Sequence, residues 1–202
     1  MRVQFVLDYR SPYSYLANTQ VRTLDAEIDY QPIDILAVMK QVNNQPSPMC
    51  PPKARYAGVD TARWAKHYGV PYSPNRALLG ALRQEQFKNA LLSRLGIAAQ
   101  ELGVFPQLHD ALFRAVWAGS DDLATSEGRA LFLANHALPA ELWEVAESPD
   151  VGARQAANND RAATSGVFGV PTFFVDDEMF FGNDRLAFVK TRLESSKARA
   201  VQ

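Results

Sequence analysis

The sequence predicts an α/β chain in which two halves of one small sheet are separated by a long helical block. Strand-like runs occur only near the two ends, and from about residue 36 to 159 there is no convincing strand, only helical punctuation. A third observation is the β-α-β order of the opening residues, which calls for two parallel strands joined by a right-handed crossover.

Residues 3–7 read as a buried strand, ended by Asp8-Tyr9-Arg10. Ser11-Pro12 then starts a helix, a serine N-cap followed by proline at the first helical position, and Tyr15, Leu16 and Thr19 carry it toward about residue 24. Residues 28–33 suggest the second strand, with Pro32 near its end. The proline-rich segment 43–53 is expected to be a non-helical loop. Helical stretches are expected at about 54–68, 84–103, 107–118, 125–135, 139–146 and 150–165. Their punctuation is Gly69 and Gly103 after helices, Thr125 and Gly128 near a start, and Pro139 in a first turn. Strands return at residues 171–175 and 179–181 across the acidic turn Asp176-Asp177-Glu178, and a last helix runs over about 184–196. This order predicts a thioredoxin-like fold with a large all-helical insertion: a first half at 1–35, the insertion at 36–150 and a second half at 151–202.

Composition fits a soluble globular protein, with 47% hydrophobic and 21% charged residues among 202. A chain of this length buries roughly 70% of its unfolded surface and needs no covalent staples. The net charge of −1 is spread without a basic stripe or acidic tail, which argues against nucleic acid or membrane surfaces as partners. One cysteine, Cys50, excludes an internal disulfide and a Cys-x-x-Cys pair, and in its loop it reads as inert. The opening residues read as a strand and not a leader, and no apolar run approaches the ~20 residues of a membrane span. The expectation is a reduced, cytoplasmic protein. His67, His109 and His136 lie far apart with no paired ligand, so no metal is expected, and Trp64, Trp117 and Trp143 suit helix packing faces.

Four places offer chemistry. Ser11 stands where a strand ends and a helix begins, and that positive helix end would favour an anion and lower the pKa of a thiol held there. Taken alone, it is also an ordinary N-cap. Val170-Pro171 opens a strand, and a cis bond there would present the backbone of Val170 to an extended peptide, whereas a trans bond would need no function. Asp184-Arg185 before the last helix suits a zwitterionic amino acid, carboxylate to arginine and ammonium to aspartate, or else caps that helix beside a solvated arginine. The loop from Asn44 to Lys53 offers an amide and an ammonium on a stiffened chain, or is a solvated connector.

In order along the chain, these segments are Asp8-Tyr9-Arg10-Ser11-Pro12-Tyr13-Ser14-Tyr15-Leu16-Ala17, then Asn44-Gln45-Pro46 with Lys53, then Gly166-Val167-Phe168-Gly169-Val170-Pro171-Thr172, then Phe181-Gly182-Asn183-Asp184-Arg185-Leu186. Together they resemble the 2-hydroxychromene-2-carboxylate isomerase family, akin to kappa-class glutathione transferases and more remotely to DsbA-type oxidoreductases. The resemblance covers essentially the whole chain and implies glutathione as cofactor and a homodimer. It implies that the Ser11 hydroxyl bonds the glutathione thiolate and that Val170, before cis Pro171, pairs with the cysteinyl unit. Asp184 and Arg185 would hold the γ-glutamyl end, Lys53 the glycyl carboxylate or the substrate, and Asn44 would orient either near the sulfur. On the substrate side, Lys53 or Arg55 would anchor a carboxylate, while Tyr13, Trp64 and Phe168 would line an aromatic pocket.

The activity implied is interconversion of 2-hydroxychromene-2-carboxylate and trans-o-hydroxybenzylidenepyruvate in naphthalene-type catabolism. It would proceed by thiolate addition, ring opening, bond rotation and elimination. Two other readings stay open: a kappa-like transferase acting on another electrophile, and a binding module without turnover. A thiol-disulfide oxidoreductase is disfavoured because the first helix has no cysteine to attack or resolve.

Overall fold

A computed structural model describes residues 1–84, 88 and 90–200. Its sheet has four strands: β1 (Arg2–Leu7), β2 (Glu27–Pro32), β3 (Thr172–Val175) and β4 (Glu178–Phe181). Their order is β2-β1-β3-β4, with β1 and β2 parallel and the other pairs antiparallel. β1 is central, with Val3, Phe5 and Leu7 completely buried on one face and Val6 buried on the other. Phe5 stacks on Phe173 at 4.8 Å, which fixes the β1–β3 register by an aromatic cross-strand pair. Val175 pairs with Glu178, so the hairpin loop is Asp176-Asp177, with Asp176 at φ 53°.

The helices are α1 (Pro12–Val21), α2 (Ile35–Gln41), α3 (Pro51–Tyr68), α4 (Arg76–Arg83), α5 (Leu91–Glu101), α6 (Phe105–Trp117), α7 (Ser126–Asn135), α8 (Leu142–Glu147), α9 (Pro149–Thr164) and α10 (Leu186–Ala200). Among the described residues, no helix is long and apolar enough to cross a membrane.

The chain forms two compact units, one of Met1–Val70 with Asn159–Gln202 and the other of Pro71–Asn158. In the first, Val6, Ile33, Ile35, Val38, Ala162 and Val167 make a core cluster between the sheet, α2 and the end of α9. Among its described residues the second has helices and no strand, and its Asn75 caps α4 through Leu78 N while its amide donates to the carbonyls of Ala115 and Asp121. Residues 36–70, expected within the insertion, are part of the sheet-bearing unit.

Three expectations need correction. The segment 43–53 is not wholly a loop: it contains a 3-10 turn at Ser47–Met49, and α3 begins at Pro51, so Lys53 sits in a helical first turn. Prolines are tolerated there because the first-turn N–H groups have no intrahelical acceptor. Two short helices, α2 and α4, had no predicted counterpart, although Asp34 and Asn75 cap them by accepting from Leu36 N and Leu78 N. The expected helix 84–103 is α5 over Leu91–Glu101, and its residues 85–87 and 89 lie outside the described residues.

Candidate active site

The turn before Ser11 sets its position. Ser11 N donates to Asp8 O at 3.0 Å, and within that turn Asp8 Oδ1 accepts from Arg10 N at 2.8 Å. Asp8 is fully buried and also accepts from Arg10 Nε at 3.0 Å, Arg10 Nη2 at 2.5 Å and Ile35 N at 3.0 Å. Arg10 Nη2 donates as well to Asp34 Oδ1 at 2.6 Å, which ties the start of α1 to the start of α2. Burial pulls the Arg10 pKa down, but the facing carboxylates of Asp8 and Asp34 outweigh it and leave the guanidinium above its ordinary value. Sequence reading passed over this cluster. Its only local signal was an Asp-x-Arg at a strand end, because the third partner, Asp34, is 24 residues away from Arg10.

Ser11 caps α1. Its Oγ accepts from Ser14 N at 3.2 Å and donates to Val170 O at 3.4 Å, the outer limit of a hydrogen bond. The Val170–Pro171 bond is cis. No acidic residue stands in the first turn of α1 itself. Asn44 Nδ2 donates to Phe168 O at 2.7 Å, and Asn44 Oδ1 accepts from Gln45 N. The expected residues Ser11, Asn44, Phe168, Val170 and Pro171 are therefore linked in one place, from segments far apart in sequence. Phe168 packs its ring on Phe181 at 4.6 Å, and a Cβ at Gly169 would lie 2.6 Å from that Phe181 ring.

Asp184 and Arg185 lie in a 3-10 turn, Asn183–Arg185, that packs against α1. Both are exposed, and they pair with each other. The buried member of the turn is Asn183. Its amide donates to Tyr68 Oη at 3.3 Å, and Tyr68 Oη donates to Asn183 O at 3.2 Å. Burial, and secondarily the Asp184 carboxylate, push the Tyr68 phenol above its usual pKa, while the Asn183 amide pulls the other way.

On α3, Lys53, Tyr56, Asp60 and Trp64 follow at spacings of three, four and four and so share one face. That face meets α1: Tyr13 Oη donates to Asp60 Oδ2 at 3.0 Å, and Tyr56 Oη donates to Asp60 Oδ1 at 3.3 Å. Trp64 lies further along, tilted on Tyr68 at 5.3 Å. Arg55 is exposed and two residues on from Lys53, roughly 200° around the helix. The structure therefore separates Arg55 from the face that carries Lys53. Asp60 had no place in the sequence reading, although its spacing from Lys53 and Trp64 was visible there. A groove of about 320 Å³ lined by Gln4, Gln31, Asp160 and Arg161 includes none of these site residues.

A sheet interrupted by helices, with a helix N-terminus beside a cis-proline turn, defines the class. The DSBA-like thioredoxin domain profile matches residues 2–194. Within that class the chain belongs to the 2-hydroxychromene-2-carboxylate isomerase family. It is 32% identical to the 2-hydroxychromene-2-carboxylate isomerase of Sphingobium xenophagum, over 95% of this chain and 97% of the relative. A solved structure of a 2-hydroxychromene-2-carboxylate isomerase superimposes with a TM-score of 0.76 at 29% identity, covering 100% of this chain and 96% of the other. Glutathione S-transferase kappa 1 of Caenorhabditis elegans is 23% identical over 96% of this chain and 91% of its own.

Proposed function

We propose that the protein is a glutathione-dependent isomerase that interconverts 2-hydroxychromene-2-carboxylate and trans-o-hydroxybenzylidenepyruvate, acting as a cytoplasmic homodimer in naphthalene-type catabolism. The observation that carries this reading is the Ser11 hydroxyl at a helix N-terminus with no acidic residue in its first turn, held to Val170 O by a contact of only 3.4 Å. A bond at that limit is readily exchanged for one to a sulfur anion.

The residues fit the cofactor's chemistry. Ser11 has a proton to donate to a thiolate, and the first-turn amides of α1 add positive potential. The backbone of Val170 can pair with a peptide unit, while Asp184 and Arg185 match an ammonium and a carboxylate once their mutual pair opens. Asn44, on the far side of Phe168 O, can turn its amide toward the sulfur or the substrate. Bound glutathione supplies a nucleophilic thiolate whose reversible addition frees a carbon–carbon bond to rotate. Ser11 holds that negative charge, and exposed Lys53 attracts the substrate carboxylate. Tyr13 and Phe168 offer apolar surface for a planar ring.

The test is turnover of 2-hydroxychromene-2-carboxylate with and without glutathione. Acceleration by glutathione supports the reading, and an unchanged rate sinks it. Conjugation of other electrophiles without isomerisation would point to the kappa-like alternative.

A further inference from the structure

We propose that Asp60 is a specificity-determining residue of this site, selecting aromatic acids that carry a hydroxyl group at the end remote from the carboxylate. The inference rests on the isomerase reading. Asp60 lies on the α3 face that meets α1, and its carboxylate takes a phenol hydroxyl on each oxygen, from Tyr13 at 3.0 Å and Tyr56 at 3.3 Å. A carboxylate offers about four acceptor sites, so these two phenols leave room for another hydroxyl. The Tyr56 bond is the longer one and the Tyr56 side chain is exposed, so this phenol can shift to let a ligand hydroxyl bond Asp60 alongside it.

Lys53 stands seven residues earlier on the same face, about 10 Å along the helix axis at 1.5 Å per residue. A cation and a carboxylate at that separation fit an elongated ligand with an anion at one end and a hydrogen-bond donor at the other. Lys53 draws in the carboxylate, and Asp60 rejects a ring that lacks the hydroxyl, because its acceptor then gains nothing for excluding water. The pairing of Asp60 with phenols rather than a cation keeps its negative charge available to a neutral donor.

The experiment measures equilibrium binding of trans-o-hydroxybenzylidenepyruvate and of trans-benzylidenepyruvate, which lacks the hydroxyl. Both are titrated in the presence of a non-nucleophilic S-methyl glutathione, so no turnover intervenes. Wild-type protein is expected to prefer the hydroxylated acid by about tenfold or more, the worth of one hydrogen bond to a charged acceptor. Asp60→Ala and the isosteric Asp60→Asn are expected to reduce that ratio toward one, Asp60→Asn with an unchanged circular dichroism spectrum. Lys53→Ala should weaken both ligands equally and leave the ratio intact. Wild type that binds both acids without preference overturns the role of Asp60 while leaving the isomerase reading standing, as does a preference that survives in Asp60→Asn. Wild type that binds neither acid overturns both.

Discussion

Removing the Asp8 carboxylate tests whether the buried ionic cluster builds the turn that presents Ser11. In Asp8→Ala, four donors lose their acceptor: Arg10 N, Arg10 Nε, Arg10 Nη2 in part, and Ile35 N. Arg10 is left with Asp34 alone, its side chain 10% exposed and its Nη1 without a partner among the described residues. Breaking a buried pair from one side costs about 3–5 kcal/mol, because the remaining charge stays buried. The surviving Asp34 contact holds the expected loss at the lower end, about 3 kcal/mol. The assay is urea denaturation followed by circular dichroism, with midpoints compared at constant slope. An Asp8→Ala loss below about 1 kcal/mol would show that the cluster does not hold this turn.

Further outcomes follow from the same geometry. The Tyr68 phenol is raised in the folded state, so its contribution to stability is intact below about pH 10 and is lost as pH rises through its higher folded value. Phenolate absorbance should show a late-titrating component that disappears in Tyr68→Phe and moves down in Asp184→Asn, and no such component would count against the burial that raises this phenol. Gly169→Ala places a Cβ 2.6 Å from the Phe181 ring, which must swing outward. The expected cost is about 1 kcal/mol in thermal or chemical denaturation, relieved in Gly169→Ala/Phe181→Leu. Arg55→Ala should leave the KM for the aromatic acid unchanged, whereas Lys53→Ala should raise it about tenfold, since only Lys53 shares the face that meets α1. Equal effects of the two would contradict the division of α3 into faces.

Much of this fold is legible in the sequence because its signals are local. The apolar run at residues 3–7 marks β1, Ser11-Pro12 marks the start of α1, and residues 171–181 mark the hairpin. What escapes reading depends on partners far apart or on elements too short to show a period. α2 has seven residues and only Ile35 and Val38 buried, and α4 has eight with Gly80 in its interior. The prolines at 51 and 52 read as loop residues because a first helical turn and a loop accept them equally well. At the site, Ser11, Asn44 and Val170 could be named from motifs, but Asp60 acquires meaning only when α1 and α3 meet through Tyr13.

The central claim is that Ser11 and the N-terminus of α1 hold glutathione as its thiolate. Its most direct measurement is the pH titration of thiolate ultraviolet absorption from glutathione bound to wild-type protein and to Ser11→Ala. The bound thiol is expected to titrate at least about one unit below the usual value of about 8.5 in wild type, rising toward that value in Ser11→Ala. The loss of the N-cap should cost that variant only about 1 kcal/mol of stability. A bound thiol that titrates at its ordinary value in wild type, or identically in both proteins, would contradict it.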